Sequence, residues 1–343
     1  FCFGQESAPD TAWTKTYGGS GSDQSRSIKQ TFDGGFISVG WINNGEDIWL
    51  VKTDFRGDSI WSKIFGGNGS DFAYDVEQTN DDGYIIVGGT NSFNSHYETW
   101  LIKTDSLGNE EWNMTYGNGI GPDVGRSVQQ TSDGGYIIVG EYEGNHIGAT
   151  KDIYLIKTDS FGNEEWSNIF VRESTDYGMS VEQTSDDGYI IAGYIDDNAS
   201  VNAVNALLIK TDYNGNTIWE RVFGEISQYG RAYDVRQTLD NGYVFAGEIW
   251  VPNSGPGMWL VKTDIEGIVE WGKTFHDDQV YGGDEGRAVE LTPDGGYIIS
   301  GYTYGYDSIN NECDTWVVKF DSDLNQQWVY TQGNEYGDGG ESI

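Results

Sequence analysis

The residues best suited to chemistry are aspartates that recur once per unit of an internal repeat. They follow glycine-rich runs such as GGSGSD and GGDEGRAV. Carboxylates on flexible loops that also offer backbone carbonyls suit calcium, so calcium is a possible ligand, although no cofactor is required. The loops lack the dense acidic spacing of a dedicated calcium loop, and one aspartate per repeat also fits a turn cap. The candidate metal ligands are Asp23, Asp71, Asp123, Asp176, Asp284 and Asp338.

Aromatic residues in the long variable segments form a second group of candidates. Tryptophan and tyrosine stack on sugar rings or anchor peptides, because each combines a large apolar surface with a polar atom. Aromatic residues also cover the apolar ends of strands, and both interpretations are open. The candidate ligand-binding residues are Trp41, Tyr142, Tyr194, Trp250, Tyr304 and Tyr306.

Few residues point to catalysis. The three histidines, His96, His146 and His276, do not have the spacing of a metal-binding pair. The sequence contains neither a nucleophile motif nor a phosphate-binding loop. We therefore expect no enzymatic activity. A polysaccharide-active lyase or hydrolase is kept as a second alternative, because one fold can carry many functions.

The chain has two cysteines, Cys2 and Cys313, so its fold does not depend on a disulfide framework. A bond between them would close a long loop and stabilise the fold in an oxidising compartment. Alternatively, Cys2 belongs to a signal segment that is removed. The sequence leaves this pairing open.

The composition is strongly acidic, with 55 Asp and Glu against 19 Lys and Arg and a formal net charge of −36. Such a field repels nucleic acid and argues against DNA or RNA partners. Arg126, Arg231 and Arg287 are the only candidates for a local basic patch. No apolar run has the length of a transmembrane helix. The opening residues FCFGQESAP resemble the end of a secretory signal region, which predicts a secreted, extracellular or cell-surface protein.

All these residues are positioned by a repeat that occurs six times. TSDGGYIIVG at 131–140 returns, for example, as TFDGGFISVG at 31 and TPDGGYIISG at 292. Each repeat holds four short segments rich in β-branched and aromatic residues and bounded by Gly or Asp, which predicts four strands, A to D. The Asp-Gly pairs predict tight A–B hairpins, and segments such as TDSLGN predict C–D turns. Because it recurs in every C strand, the lysine of WLIKTD is interpreted as a structural contact.

A four-stranded unit of roughly 50 residues does not bury both faces alone, and radial packing of such units gives a β-propeller. We predict an all-β fold, a six-bladed β-propeller of four-stranded antiparallel blades, in preference to a stacked solenoid. Seven blades is the alternative if the chain is a fragment. Residues 1–12 are predicted to be a signal-like or extended segment. Residues 13–343 are predicted to be one propeller domain with six full repeats, a spare N-terminal strand and a partial C-terminal repeat.

The repeated phrases also resemble a known group of proteins. GGSGSD, QTFDGGFISVG and DIWLVKTDFRGDSIW are similar to the β-propeller repeats of secreted bacterial and archaeal proteins. The resemblance covers the chain from Trp13 to Ile343. It implies the propeller fold and export from the cell. It implies no catalytic residues, because the shared motif is structural and most such proteins have no known function.

Antiparallel order places the A–B and C–D turns at one end of each blade and the variable B–C and D–A loops at the other. Variable loops on a rigid scaffold are where binding usually resides. We therefore expect a non-catalytic interaction module that binds glycan or protein at the cell surface through the B–C/D–A loop face. The alternative is a structural subunit of an extracellular filament, in which a spare terminal strand self-associates by entering a neighbouring molecule.

Overall fold

The computed structural model describes residues 13–19, 21–43, 46–144, 151–197, 203–224, 229–251, 255–275, 283–304, 313–333 and 341–343. These residues form six four-stranded antiparallel sheets whose strands follow chain order, A to D. The predicted all-β, six-bladed β-propeller fold is confirmed. Within the described residues, no helix is long and apolar enough to cross a membrane.

In every blade the strands run in the order A, B, C and D. Blade 1 comprises β1 (Gln24–Gln30), β2 (Phe36–Ile42), β3 (Asp47–Thr53) and β4 (Ser59–Phe65), and blade 2 comprises β5 (Asp71–Gln78), β6 (Tyr84–Thr90), β7 (Glu98–Thr104) and β8 (Glu110–Tyr116). Blade 3 comprises β9 (Val124–Gln130), β10 (Tyr136–Glu143), β11 (Lys151–Thr158) and β12 (Glu164–Phe170), and blade 4 comprises β13 (Thr175–Gln183), β14 (Tyr189–Asp197), β15 (Ala203–Thr211) and β16 (Thr217–Phe223). Blade 5 comprises β17 (Gly230–Gln237), β18 (Tyr243–Val251), β19 (Gly255–Thr263) and β20 (Val269–Phe275), and blade 6 comprises β21 (Glu285–Leu291), β22 (Tyr297–Tyr304), β23 (Cys313–Phe320) and β24 (Gln326–Gln332).

The chain packs as two compact units. One unit contains Thr11–Ile191 and Thr211–Ile218, and therefore all of blades 1 to 3. The other contains Ala192–Lys210 and Trp219–Ile343, and therefore all of blades 5 and 6. We call them the first and the second unit.

The A–B turns close as the Asp-Gly pairs predict. In blade 1 the N–H of Thr31 donates to the carbonyl of Gly35 at 2.9 Å, and the N–H of Gly34 donates to the carbonyl of Thr31 at 2.8 Å. The hydroxyl of Thr31 and the N–H of Gly35 both donate to Asp33 Oδ1, at 2.5 and 3.0 Å. Gly34 has φ +82°, a left-handed conformation that Gly, Asn and Asp tolerate best. The equivalent residues are Asp82 (φ 65°), Gly134 (85°), Asp187 (62°), Asn241 (65°) and Gly295 (80°).

The hydrophobic core lies in strands B and C, where burial is nearly continuous. In blade 2, every residue of β6 and β7 is buried. By contrast, every residue of β8 before its last is exposed or half-buried, as expected for an outer strand. The B and C strands therefore supply most of the apolar area that holds each unit together.

Adjacent blades are joined by the D-strand tryptophans of blades 1 to 5. The Trp61 ring lies edge-on to Tyr84 of the next blade, with ring centroids 5.8 Å apart. It also covers Gly108 in the next C–D turn, where an added Cβ would lie 2.6 Å from the ring. At Gly108 glycine leaves room for this contact, whereas blade 6 has Leu324, with φ 62°, at the equivalent position. The same pair recurs as Trp112–Tyr136, Trp166–Tyr189, Trp219–Tyr243 and Trp271–Tyr297.

The segment predicted to be a spare N-terminal strand does not form a strand. Residues 13–19 contact blade 1 through their side chains, but they are not part of a sheet. β24 is the fourth strand of blade 6, so the D position there is filled by a strand of the sixth repeat itself. Cys2 and the side chain of Cys313 lie outside the described residues, and their pairing stays a prediction.

The repeated lysine bonds to both the A–B turn and the start of the C–D turn, as the predicted structural role requires. We call this set of contacts the lysine clip. Lys52 Nζ lies 3.0 Å from Asp33 Oδ1 and donates to the carbonyl of Thr53 at 2.9 Å. Lys157 makes the same contacts in blade 3 and also reaches Glu165 at 3.1 Å. Both lysines are buried. The set comprises Lys52, Lys103, Lys157, Lys210, Lys262 and Lys319.

The carboxylates of these clips favour the charged form. The pKa of Asp33 is lowered to about 2, chiefly by the hydrogen bond from Thr31 and further by Lys52. Because the folded-state pKa lies below the unfolded value, this stability is fully present above about pH 4 and is lost as pH falls towards 2.

Replacing Asp33 by Asn should destabilise the protein by about 2 kcal/mol, because it removes the carboxylate that neutralises the buried Lys52 ammonium. The matched substitution Asp133→Asn should cost about half as much, since Glu165 still neutralises Lys157. Thermal unfolding of both variants at pH 7 measures the difference. Equal losses would show that Glu165 contributes nothing to the clip.

Candidate ligand-binding face

The repeated aspartates join the D–A loops to the B–C loops. Asp123 Oδ2 accepts the N–H of Asn118 in a D–A loop at 3.0 Å, and its Oδ1 accepts the N–H of Glu143 at the end of β10 at 2.9 Å. Asp71 accepts the N–H of Gly67 and the hydroxyl of Ser92 in the same way, at 2.9 and 2.7 Å. Within each of these blades, the two variable loops therefore lie at one end, as the sequence predicts.

These contacts match the turn-cap interpretation of the aspartates. Asp23 accepts from the N–H groups of Gly19 and Asn43, and Asp176 accepts from Arg172 and Ser174. Among the described residues, no three carboxylate, histidine or cysteine side chains converge on one point that could hold a metal ion. Asp284 is buried, and Asp338 lies outside the described residues. Calcium binding stays a prediction.

The position of Asp123 disfavours its charged form. Burial raises its pKa to about 6, although the amides of Glu143 and Asn118 partly offset this, and the charges of Glu98 and Glu143 raise it further. Burial similarly raises the pKa of Asp176. The folded state therefore binds a proton at Asp123 more tightly than the unfolded chain does.

The contribution of Asp123 to the free energy of unfolding should fall as pH rises from about 4 through about 6. The reason is that the raised folded-state pKa favours the protonated form. Replacing Asp123 by Asn should remove this component of the pH dependence. Chemical denaturation of both proteins at pH 4, 5, 6 and 7 measures it. Parallel stability–pH curves for the variant and the wild type would contradict the assignment.

The structure separates the aromatic candidates. Trp41 and Tyr194 are half-buried beside arginines. Tyr142 is also half-buried, but it packs on Tyr154 with ring centroids 5.3 Å apart and belongs to a blade core. Trp250 is 47% exposed at the end of β18. The side chain of Tyr304 and the whole of Tyr306 lie outside the described residues.

The first unit carries an arginine–aromatic cluster at the variable-loop end. The Arg126 guanidinium lies over the Tyr74 ring, 4.0 Å from its centroid. Arg26 lies 5.9 Å from the centroid of Tyr74 and 4.7 Å from that of Trp41. Trp41 also meets Tyr74 edge-on at 6.4 Å. Cation–π stacking on two rings therefore holds both guanidinium planes in fixed orientations.

A buried carboxylate completes this cluster. Glu141 is 1% exposed, and its Oε1 accepts the Nε–H of Arg126 at 2.7 Å while its Oε2 accepts from Lys151 at 2.6 Å. Burial raises the pKa of Glu141, but the charges of Arg126 and Lys151 more than compensate, so the pKa is lowered. Lys151 also lies 5.4 Å from the ring centroid of Tyr177. We call Arg26, Trp41, Tyr74, Arg126, Glu141 and Lys151 the first arginine cluster.

The second unit carries a related arrangement. Arg287 lies 4.0 Å over the Tyr233 ring, and Arg231 lies 4.8 Å over the ring of Tyr194. Glu248 accepts from both Arg231 and the Tyr233 hydroxyl at 2.8 Å. Burial raises the pKa of Tyr233 well above its usual value, so the phenol stays a hydrogen-bond donor at neutral pH.

The sequence identifies only part of these clusters. It predicts Arg126, Arg231 and Arg287 as the only source of a basic patch and Trp41 and Tyr194 as ligand-binding residues, but it does not single out Arg26, Tyr74 or Tyr233. The repeat itself could have identified them, because the third residue after each repeated aspartate lies at the same place in every A strand. Those residues are Arg26, Tyr74, Arg126, Met179, Tyr233 and Arg287, with Gly230 in the place of the aspartate in blade 5. His96 is exposed in its B–C loop, and His146 and His276 lie outside the described residues.

Comparison with known proteins shows the fold alone. No family model matches the chain, and no curated protein matches it in sequence. A protein of unknown function from Bacteroides caccae has a TM-score of 0.53 at 10% identity, over 87% of this chain and 93% of that one. Sqt1 from Chaetomium thermophilum has a TM-score of 0.53 at 11% identity, over 94% of this chain and 75% of that one. This chain is therefore a β-propeller, and its function must be argued from its own residues.

Proposed function

We propose that this chain is a non-catalytic, extracellular or cell-surface interaction module that binds a glycan through its B–C/D–A loop face. The observation that carries the proposal is the first arginine cluster. It places two guanidinium groups and two aromatic rings together on the face formed by the variable loops. Export is supported by the similarity of the repeats to those of secreted bacterial and archaeal propeller proteins.

The chemistry of the cluster favours a sugar that bears a carboxylate. Guanidinium groups bind carboxylates through paired, charge-assisted hydrogen bonds. Aromatic rings stack on the apolar face of a sugar. The Arg126 side chain keeps 22% of its surface exposed and that of Lys151 keeps 31%, so solvent reaches both cations. Glu141 already shows that a carboxylate fits between them.

The charge of the rest of the chain makes the cluster selective. With a net charge of −36, most of the surface repels acidic ligands. Cations that are fixed in one place against this field define where an anionic sugar can dock. A neutral glycan or a protein partner of the same face is an outcome that the binding test distinguishes.

A glycan array with matched neutral and uronic-acid oligosaccharides tests the proposal. We expect binding to the acidic set, and Trp41→Ala and Arg26→Gln should each weaken it about tenfold, since each removes roughly 1–2 kcal/mol of contact. The matched controls are Phe55→Ala and Arg56→Gln. Arg56 lies 5.0 Å over the ring of Phe55 in a C–D turn, at the opposite end of the blade, and its loss should leave binding unchanged.

Equal losses for both pairs, or no glycan binding at all, would overturn the glycan proposal. Binding of neutral sugars alone would contradict the role of the arginines. Mass spectrometry of the bound oligosaccharides distinguishes binding from cleavage, and shortened products would favour the lyase or hydrolase alternative. Capture of a protein in place of a sugar would move the function to protein recognition.

A second function, a structural subunit that self-associates by exchange of a terminal strand, is favoured by a different observation. Residues 13–19 make the contacts of a D strand on blade 1 without belonging to a blade themselves. The described part of the chain thus contains one D-like segment more than its six blades use.

A further inference from the structure

Each blade of the first unit offers the same receptor to a D strand. Trp61 covers Gly108 of blade 2, and Trp112 covers Gly162 of blade 3. Two residues after Trp61, Lys63 Nζ donates to Asn109 Oδ1 at 2.9 Å, whereas two residues after Trp112 the Met114 side chain packs on Gly162. At the fourth residue after the tryptophan, the Tyr116 hydroxyl donates to the carbonyl of Gly162 at 2.6 Å.

Blade 1 offers this receptor too, and the segment WTKTYGG occupies it. The Trp13 ring covers Gly57, where an added Cβ would lie 2.5 Å from the ring, and it lies edge-on to Phe36 at 5.6 Å. Its indole N–H donates to the carbonyl of Phe55 at 3.0 Å. Lys15 pairs with Asp58 at 2.7 Å, and the Tyr17 hydroxyl donates to the carbonyl of Gly57. We call Gly57, Phe36, Asp58 and the Phe55 carbonyl the blade 1 seat.

The segment is held much less firmly than a D strand. Tyr17 is 39% exposed, whereas the equivalent residues Phe65 and Tyr116 are 8% and 7% exposed. Within residues 13–19, Trp13 is half-buried and the other six residues are exposed. A cavity of about 270 Å³, lined by Trp13, Tyr17 and strand residues of blade 1, lies next to it. Protein interiors are close-packed, so such a cavity marks incomplete packing.

We propose that the blade 1 seat is a strand-acceptor site that takes the Trp13–Gly19 segment of a second copy of this chain. The contacts made in trans are the same as those made in cis, so exchange loses little beyond the entropy of association. The small buried area lowers the barrier to release. This inference rests on the second proposed function and is independent of the glycan-binding face.

Two variants separate the donor from the acceptor. Trp13→Ala removes the donor ring and leaves the seat open. Gly57→Ala keeps the donor and blocks the seat. Gly34→Ala is the matched control, because Gly34 has φ +82° against +72° for Gly57 but has no atom within 4 Å of an added Cβ. It imposes the same backbone strain in the same blade without touching the seat.

Mass photometry and light scattering over a hundredfold concentration range measure association. Wild type and Gly34→Ala should form dimers or larger species, whereas Trp13→Ala and Gly57→Ala should each weaken self-association at least tenfold. An equal mixture of the two variants should recover a dimer, because one supplies the donor and the other the open seat. The dimer should stop at two copies, since each variant retains one functional half.

A wild-type protein that stays monomeric throughout would overturn the inference. So would association that both variants retain, or a mixture that fails to associate while the wild type does. If the mixture forms a dimer but electron microscopy of the wild type shows no filaments, the acceptor site stands and the filament function fails. Glycan binding by Trp13→Ala reports separately on the binding face.

Discussion

The contact on which the structure depends is the packing of a D-strand tryptophan against a tyrosine of the next blade. Among the described residues this contact occurs five times, and in four of them the ring also covers a glycine of the next C–D turn. The four-stranded sheet of a blade has two apolar faces, and a single blade leaves both faces open to water. A large ring at the outer edge covers the neighbouring turn while the B and C strands bury their β-branched residues inside. Where the turn has a glycine, as at Gly108, an added Cβ would occupy the space of the ring.

The two ends of each blade are fixed by opposite uses of charge. At the A–B and C–D turns, a buried lysine is neutralised by an aspartate whose pKa is lowered, so the charged form is favoured. At the other end, burial raises the pKa of Asp123 while backbone amides hold its carboxylate. The first arrangement repeats with little variation, whereas the second ties together loops that differ from blade to blade. Variation in these loops is therefore tolerated without loss of the scaffold.

The arginine clusters show how a strongly acidic protein can hold cations close together. Each guanidinium is stacked on an aromatic ring, and buried glutamates fix the orientation of Arg126 and Arg231. Orientation of this kind is what recognition of a planar carboxylate requires. The Trp13 segment shows that the D-strand motif has a second use. The same tryptophan motif that lies in a D strand elsewhere docks on blade 1 here without being a strand of any blade.

The sequence by itself determined the strands, the turns and the number of blades. Those features follow from local periodicity, Asp-Gly pairs and a repeat that is copied six times. It also predicted that the lysines are structural and that the variable loops share one end of each blade. Only the tertiary structure decided that Trp41 and Tyr194 join arginines while Tyr142 joins a core, because these contacts link residues that lie far apart in the sequence. Tertiary packing also decided that residues 13–19 lie on blade 1 without a sheet partner, since the same tryptophan motif fits either place.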